Sequence, residues 1–190
     1  SIQTGLAVAE AVNGIYNLDM VNLEKEIYQS PHSLLDADLV FNALHGGDGE
    51  NGTVQAYLDL HHIAYTGSGS KASKIAMDKN ISKLIAHAVE IPTPNWVLLK
   101  RNRYTGLKLQ NYDALKFTFP YVVKPSNEGS TYGLSIVHDE GELSKAIGRA
   151  AEYSDEILIE EYIPGRELTV GILGNKSLPI VEILPSHDLY

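Results

Sequence analysis

The chain has 190 residues, 44% of them hydrophobic and 21% charged, with a formal net charge of -9. That length and composition suit one large or two small globular cores, and the acidic balance, with no Lys/Arg run, excludes a basic nucleic-acid face. The absence of cysteine excludes a disulfide scaffold and a thiolate metal centre, and no apolar run approaches the roughly 18 residues of a bilayer span.

Ile2, Leu6, Ala9 and either Ala11 or Val12 recur at helical spacing, which predicts an amphipathic helix over residues 2–12. Residues 37–44, ADLVFNAL, form an apolar run ending in His45-Gly46-Gly47, the pattern of a short buried strand feeding a glycine-rich loop. Gly52-Thr53 opens a second helix with Val54, Tyr57, Leu58 and His61 on one face. Residues 63–66 read as a strand closed by the cluster Gly67-Ser68-Gly69-Ser70. Strand, helix and strand in this order predict a parallel α/β layer. The change of pattern at the Gly-Ser cluster places a domain boundary near residue 70, giving domains 1–70 and 71–190.

Beyond that point Ile81, Leu84, Ile85, Ala88 and Val89 mark a helix stopped by Pro92 and Pro94. Strands are predicted at 96–99, 120–124 and 134–137, with weak periodicity over 100–118. Asp139 and Glu142 form a capping box for a helix carrying Leu143, Ala146, Ile147 and Ala150. Three further strands follow at 156–162, 167–173 and 178–184. The chain opens on Ser1 as if within a helix start and ends on Tyr190 without a closing element, so both ends are expected to be cut.

Lys124 ends the apolar strand FPYVVK, and residues 125–133, PSNEGSTYG, follow it. Small residues let backbone N–H groups approach an anion closely, and a lysine adds a point charge for phosphate. A polar hairpin loop beside a snorkelling lysine fits the same residues. Lys79 stands at a helix N-terminus, where a cation is disfavoured unless an anion joins it; an exposed surface lysine is the alternative. Glu160, Glu161 and Glu167 flank a Pro-Gly turn and could receive hydrogen bonds from a base or a ribose, or could be solvated strand-end charges. His45 follows a strand at the edge where α/β sheets take ligands. Gly67-Ser68-Gly69 lacks the third glycine of a dinucleotide fingerprint, and no Walker A sequence is present.

Together, FNALHGGDGENGTVQ (41–55), IAYTGSGSKASKIAMDKNISK (63–83), YVVKPSNEGSTYGLSIV (121–137), LIEEYIPGRELTVGILG (158–174) and LPIVEILP (178–185) resemble the D-alanine–D-alanine ligases, in order and over almost the whole chain. The resemblance implies an α/β fold in which an N-terminal parallel α/β domain precedes an α+β ATP-grasp central domain, with the C-terminal part missing. It implies ATP-dependent joining of two D-alanines through a D-alanyl phosphate, for peptidoglycan synthesis. ATP and Mg2+ or Mn2+ are the implied cofactors. The implied setting is a cytoplasmic homodimer without nucleic-acid or membrane partners.

By the same resemblance Lys79 and Lys124 look like ATP-phosphate lysines, and Glu128, Ser130 and Thr131 belong to a phosphate-covering loop in which Ser130 nears the second D-alanine. Glu160, Glu161, Tyr162 and Ile163 resemble adenine contacts, Glu167 the ribose carboxylate, and His45 the histidine near the first D-alanine. Thr131 stands where relatives often carry serine, which keeps the hydroxyl. A glutamate expected before Ser1 and the metal-binding groups expected after Tyr190 are absent, so no metal ligand is named and the 190 residues alone are expected to be inactive. A D-lactate or D-serine ligase, and a truncated nucleotide-binding module, are the alternatives.

Overall fold

The computed structural model describes residues 1–23, 32–102, 106–109, 118–129 and 131–184. Two compact units form, one from Ser1–Pro92 with Ser126–Ser130, the other from Thr93–Pro125 with Thr131–Tyr190.

The first unit contains α1 (Ile2–Val12), α2 (His32–Leu35), β1 (Leu39–Val40), a 3-10 turn at Gly47–Gly49, α3 (Thr53–Leu60), β2 (Ala64–Tyr65), α4 (Ser70–Met77) and α5 (Lys79–Ala88). As the strand–helix–strand pattern requires, β1 and β2 are parallel, Leu39 opposite Ala64 and Val40 opposite Tyr65. Val54 and Leu58, one turn apart on α3, close on Leu34 and Ile63 to make the core. Helix α3 starts from Gly52, whose φ of +92° suits glycine. A Cβ there would stand 2.4 Å from the Ser70 carbonyl oxygen, so the start of α4 rests directly on the start of α3.

The structure departs from the sequence reading, or goes beyond it, in three places here. The 37–44 run is not a buried strand: among the described residues only Leu39–Val40 pairs, and Leu39 and Phe41 are exposed. A two-stranded layer among the described residues leaves one face uncovered. Residues 70–77, to which the sequence reading assigned no element, form α4; Ala72, Ile75 and Ala76 carry the helical spacing for it. On α5 the apolar set Ile81, Leu84, Ile85 and Val89 is exposed while Lys83 is buried. Periodicity identifies a helix, and it does not say which side a neighbour covers.

The second unit is built on an antiparallel sheet in the order β4-β3-β7-β5-β6, from β3 (Trp96–Asn102), β4 (Gly106–Leu109), β5 (Tyr121–Pro125), β6 (Ser135–Val137) and β7 (Glu156–Glu161). Strand β4 falls in the stretch of weak periodicity, where no element was expected. Helix α6 (Glu140–Ala150) crosses between β6 and β7. Its Ala146 and Ala150 pack on Leu99, Tyr121, Val123, Val137, Ile157 and Ile159, so alternate residues of four strands make one covered face. The capping box is present: the Asp139 carboxylate accepts from the Glu142 backbone N–H at 3.2 Å. Glu142 Oε2 reaches back to the N–H of His138 at 2.9 Å. Strands β8 (Glu167–Leu173) and β9 (Lys176–Ile183) form a separate antiparallel hairpin. Arg166 forks onto Glu182 with two 2.7 Å bonds, which hold the Glu182 carboxyl below its ordinary value.

Candidate functional site

Alternation along β5 sends Tyr121 and Val123 towards α6 and Lys124 to the opposite face. On β7, Ile157 and Ile159 face α6, which leaves Leu158 and Glu160 beside Lys124. The register places Lys124 across from Leu158 and Val122 across from Glu160, so Lys124 and Glu160 are diagonal neighbours. Their side chains form an ion pair, with 21% of Lys124 and 7% of Glu160 exposed. A carboxylate buried to this degree on a sheet face costs desolvation, which the Lys124 ammonium helps to offset.

The neighbouring glutamate points the other way. Glu161 receives a 3.0 Å hydrogen bond from Asn95 Nδ2, and its backbone N–H donates to the Asn95 carbonyl at 2.9 Å. Tyr162 and Ile163 follow as exposed residues. Glu167 opens β8 and is exposed.

In the first unit Lys79 is the first residue of α5, whose N-cap Asp78 accepts from the Ile81 N–H at 3.0 Å. Its ammonium donates to the carbonyls of Ser126, at 3.4 Å, and Glu128. Its backbone N–H donates to the Ser126 carbonyl at 3.0 Å. Ser126 is fully buried and also meets Asp78, hydroxyl to carboxylate, at 3.3 Å. Residues 126–129 are thus strapped to the start of α5. Lys79 is half-buried and not the exposed surface lysine of the alternative reading.

In the second unit the two flanks of this loop meet. Gly133 has a φ of +72°, and a Cβ there would lie 2.9 Å from Pro125 Cγ and 2.8 Å from Tyr153 Cδ2. Thr131 has a φ of +64°, a strained value for a β-branched residue and a mark of loops that bind. Ser130 lies outside the described residues.

His45 is exposed and shares a 3.0 Å hydrogen bond between Nε2 and Thr4 Oγ1 of α1. Beyond the carboxyl ends of β1 and β2 lies a hollow of about 330 Å³, lined by Asn42, Gly49, Glu50, Gln55, Thr66 and Ser68 among others. Gln55 donates to the Gly49 carbonyl at 2.8 Å, while its Oε1 is buried with no hydrogen-bond partner among the described residues. Sequence reasoning missed this group, because a glutamine on the buried side of a helix carries no motif. Among the described residues no three His, Asp or Glu side chains stand close enough to hold a metal ion. No helix among them is long and apolar enough to cross a membrane.

Residues 1–68 match the family described as D-ala D-ala ligase N-terminus, and residues 85–190 match D-ala D-ala ligase C-terminus. The D-alanine–D-alanine ligase of Pediococcus pentosaceus is 49% identical over 154 residues, covering 81% of this chain and 42% of that protein. That of Syntrophotalea carbinolica is 38% identical over 191 residues, covering 100% of this chain and 60% of that protein. The crystal structure of the Bacillus anthracis enzyme complexed with ATP superimposes with a TM-score of 0.83 at 35% identity, covering 98% of this chain and 62% of that one. The chain spans about half the length of the curated relatives it matches.

Proposed function

The chain belongs to the D-alanine–D-alanine ligase family, and from that premise we propose that the protein joins two D-alanines at the expense of ATP. Its α/β fold, a parallel layer followed by an antiparallel ATP-grasp sheet, is that of its solved neighbours. In the proposed reaction a carboxylate oxygen of the first D-alanine attacks the γ-phosphorus and ADP departs. The amine of the second D-alanine then attacks the acyl phosphate carbon, inorganic phosphate leaves, and the amine gives up its proton. The product is a peptidoglycan precursor.

The observation that carries this proposal is the Lys124–Glu160 pair on the face of the sheet turned away from α6. Apolar residues would stabilise a purely structural sheet face at least as well. A buried charged pair beside a strand end is a mark of ligand recognition. Lys124 and Lys79 are assigned to the phosphates of ATP. Phosphoryl transfer depends on positioning and on neutralising equatorial oxygens, which lysine ammonium groups provide. The loop of Glu128, Ser130 and Thr131 is assigned to cover the phosphates, with Ser130 nearest the second D-alanine. The segment of Glu160, Glu161, Tyr162 and Ile163 is assigned to adenine, Glu167 to the ribose, and His45 to the first D-alanine. The described residues do not fit a divalent-ion cage, so no step is routed through a metal here.

The test is ADP release by the complete protein that contains this chain, given ATP, Mg2+ and D-alanine, with the product identified by mass. D-Alanyl-D-alanine is expected, and Lys124→Met should lower kcat/KM by about 100-fold. ADP release indifferent to D-alanine, or a product carrying D-lactate or D-serine in preference, would replace this assignment.

A further inference from the structure

We propose that Tyr153 is a positioning residue, whose ring holds residues 131–133, the far end of the loop after Lys124, against Pro125, where that loop begins. This rests on the assignment of the loop to the phosphates of ATP. Pro125 is the last residue of β5 and is fully buried. Tyr153 follows α6, and its backbone N–H donates to the carbonyl of fully buried Ala150 at 3.1 Å. The sheet thus fixes one jaw and the helix that covers it fixes the other. The backbone of Gly133 lies between them. A Cβ on Gly133 would stand 2.8 Å from Tyr153 Cδ2 and 2.9 Å from Pro125 Cγ, so the gap is filled by glycine alone. The Tyr132 ring lies beside that of Tyr153, with centroids 6.0 Å apart and planes tilted by 32°. The Leu134 N–H closes the segment on the Thr131 carbonyl at 3.1 Å.

Tyr153 is not part of the apolar core beneath α6, and it is 45% exposed. Its ring therefore adds little to the packing of the sheet, and what it touches is the loop. Thr131 and Gly133 both have positive φ, at +64° and +72°. Such values persist only where the surroundings impose them, and Tyr153 with Pro125 supplies that constraint. Ordering a loop on a ligand costs free energy. Where the loop end is already held in the nucleotide-free protein, ATP does not have to supply that order. The contact is made by a ring carbon, so phenylalanine keeps it and alanine removes it.

The complete protein is compared with its Tyr153→Ala and Tyr153→Phe variants in two measurements. The first is the backbone NMR order parameter of residues 131–133 without nucleotide; the second is calorimetric titration with ATP and, separately, with adenosine, which has no phosphate. In Tyr153→Ala the order parameters are expected to fall from about 0.85 to below about 0.6. The same variant is expected to bind ATP about tenfold more weakly, the cost of ordering two more side chains on the ligand. Adenosine binding is expected to be unchanged, which also shows that the variant is folded. Tyr153→Phe is expected to match the unaltered protein throughout. Order parameters indifferent to Tyr153→Ala, an equal loss in Tyr153→Phe, or an equal loss for adenosine would each overturn the positioning role. A loosened loop with ATP affinity unchanged would instead overturn the assignment of the loop to the phosphates. A measurement that needs no variant is the nuclear Overhauser effect between the Tyr153 ring protons and the Gly133 α-protons in the nucleotide-free protein. A strong effect is expected, and its absence would overturn the proposal.

Discussion

At the scale of single residues, Asp59 ties three elements together. Its Oδ2 accepts from Ser70 Oγ at 2.6 Å and its Oδ1 from the Tyr65 hydroxyl at 2.8 Å, linking α3 to α4 and β2. The Ser70 hydroxyl first, and that of Tyr65 second, hold the Asp59 carboxyl below its ordinary value of 3.8. Burial first, and the bond to Asp59 second, raise the Tyr65 phenol above 10.0. A lowered carboxyl contributes stability that is present above the unfolded value and lost as pH falls through the folded one. A raised phenol contributes stability that is present below its unfolded value and lost as pH rises through the folded one. Asp59→Asn is thus expected to flatten the acid side of the stability profile below about pH 4 and leave the neutral-to-acid slope above it unchanged. Chemical denaturation between neutral and strongly acid pH would show this, and an unaltered acid limb would exclude the tie. In sequence, Asp59 was an ordinary polar position on a helix, whereas Lys124 stood out as a cation ending an apolar strand. The difference is that a partner distant along the chain leaves no local mark.

At the scale of elements, boundaries were most legible where a backbone group needed a specific side chain. Asp139 and Glu142 announced the start of α6 because an unpaired helix N–H must find an acceptor, and the structure supplies both reciprocal bonds. Replacing Asp139 with Ala should cost about 1 kcal/mol, read as a shift of the denaturation midpoint with an unchanged slope; no shift would mean that α6 is capped by other means. Helix α4 was illegible for the opposite reason. It begins straight after Gly69 with no side-chain cap, so glycine and serine there looked like loop. Strand β1 was misjudged because an apolar run does not tell how many strands flank it, and among the described residues β1 pairs only with β2. The hydrogen-bonded straps on residues 126–129 are likewise absent from composition, since backbone carbonyls of any sequence could accept from Lys79.

At the scale of the whole molecule, the described surface is unusually apolar in one place. Every position of β8 is exposed, as is every position of β9 but Ile183, and these include Leu168, Val170, Ile172, Leu173, Leu178, Ile180 and Val181. Exposed apolar strands attract dyes and other chains. The 190-residue chain is therefore expected to bind a hydrophobic dye and to self-associate. Ile180→Lys should reduce both while changing stability by no more than about 0.5 kcal/mol. Dye fluorescence and light scattering would check it, and a chain that stays monomeric and dark to the dye would contradict it. Most helices and strands, the loop after Lys124 and the family were legible in one dimension, because hydrophobic period, caps and ordered motifs are local; α4 and β4 were not. That Glu160 pairs with Lys124, that Glu161 meets Asn95, and that Lys79 straps residues 126–129 became visible from the packed chain alone. Strand register and the packing of helix starts bring together residues dozens of positions apart, and a one-residue change of register would have turned Lys124 and Glu160 to opposite faces.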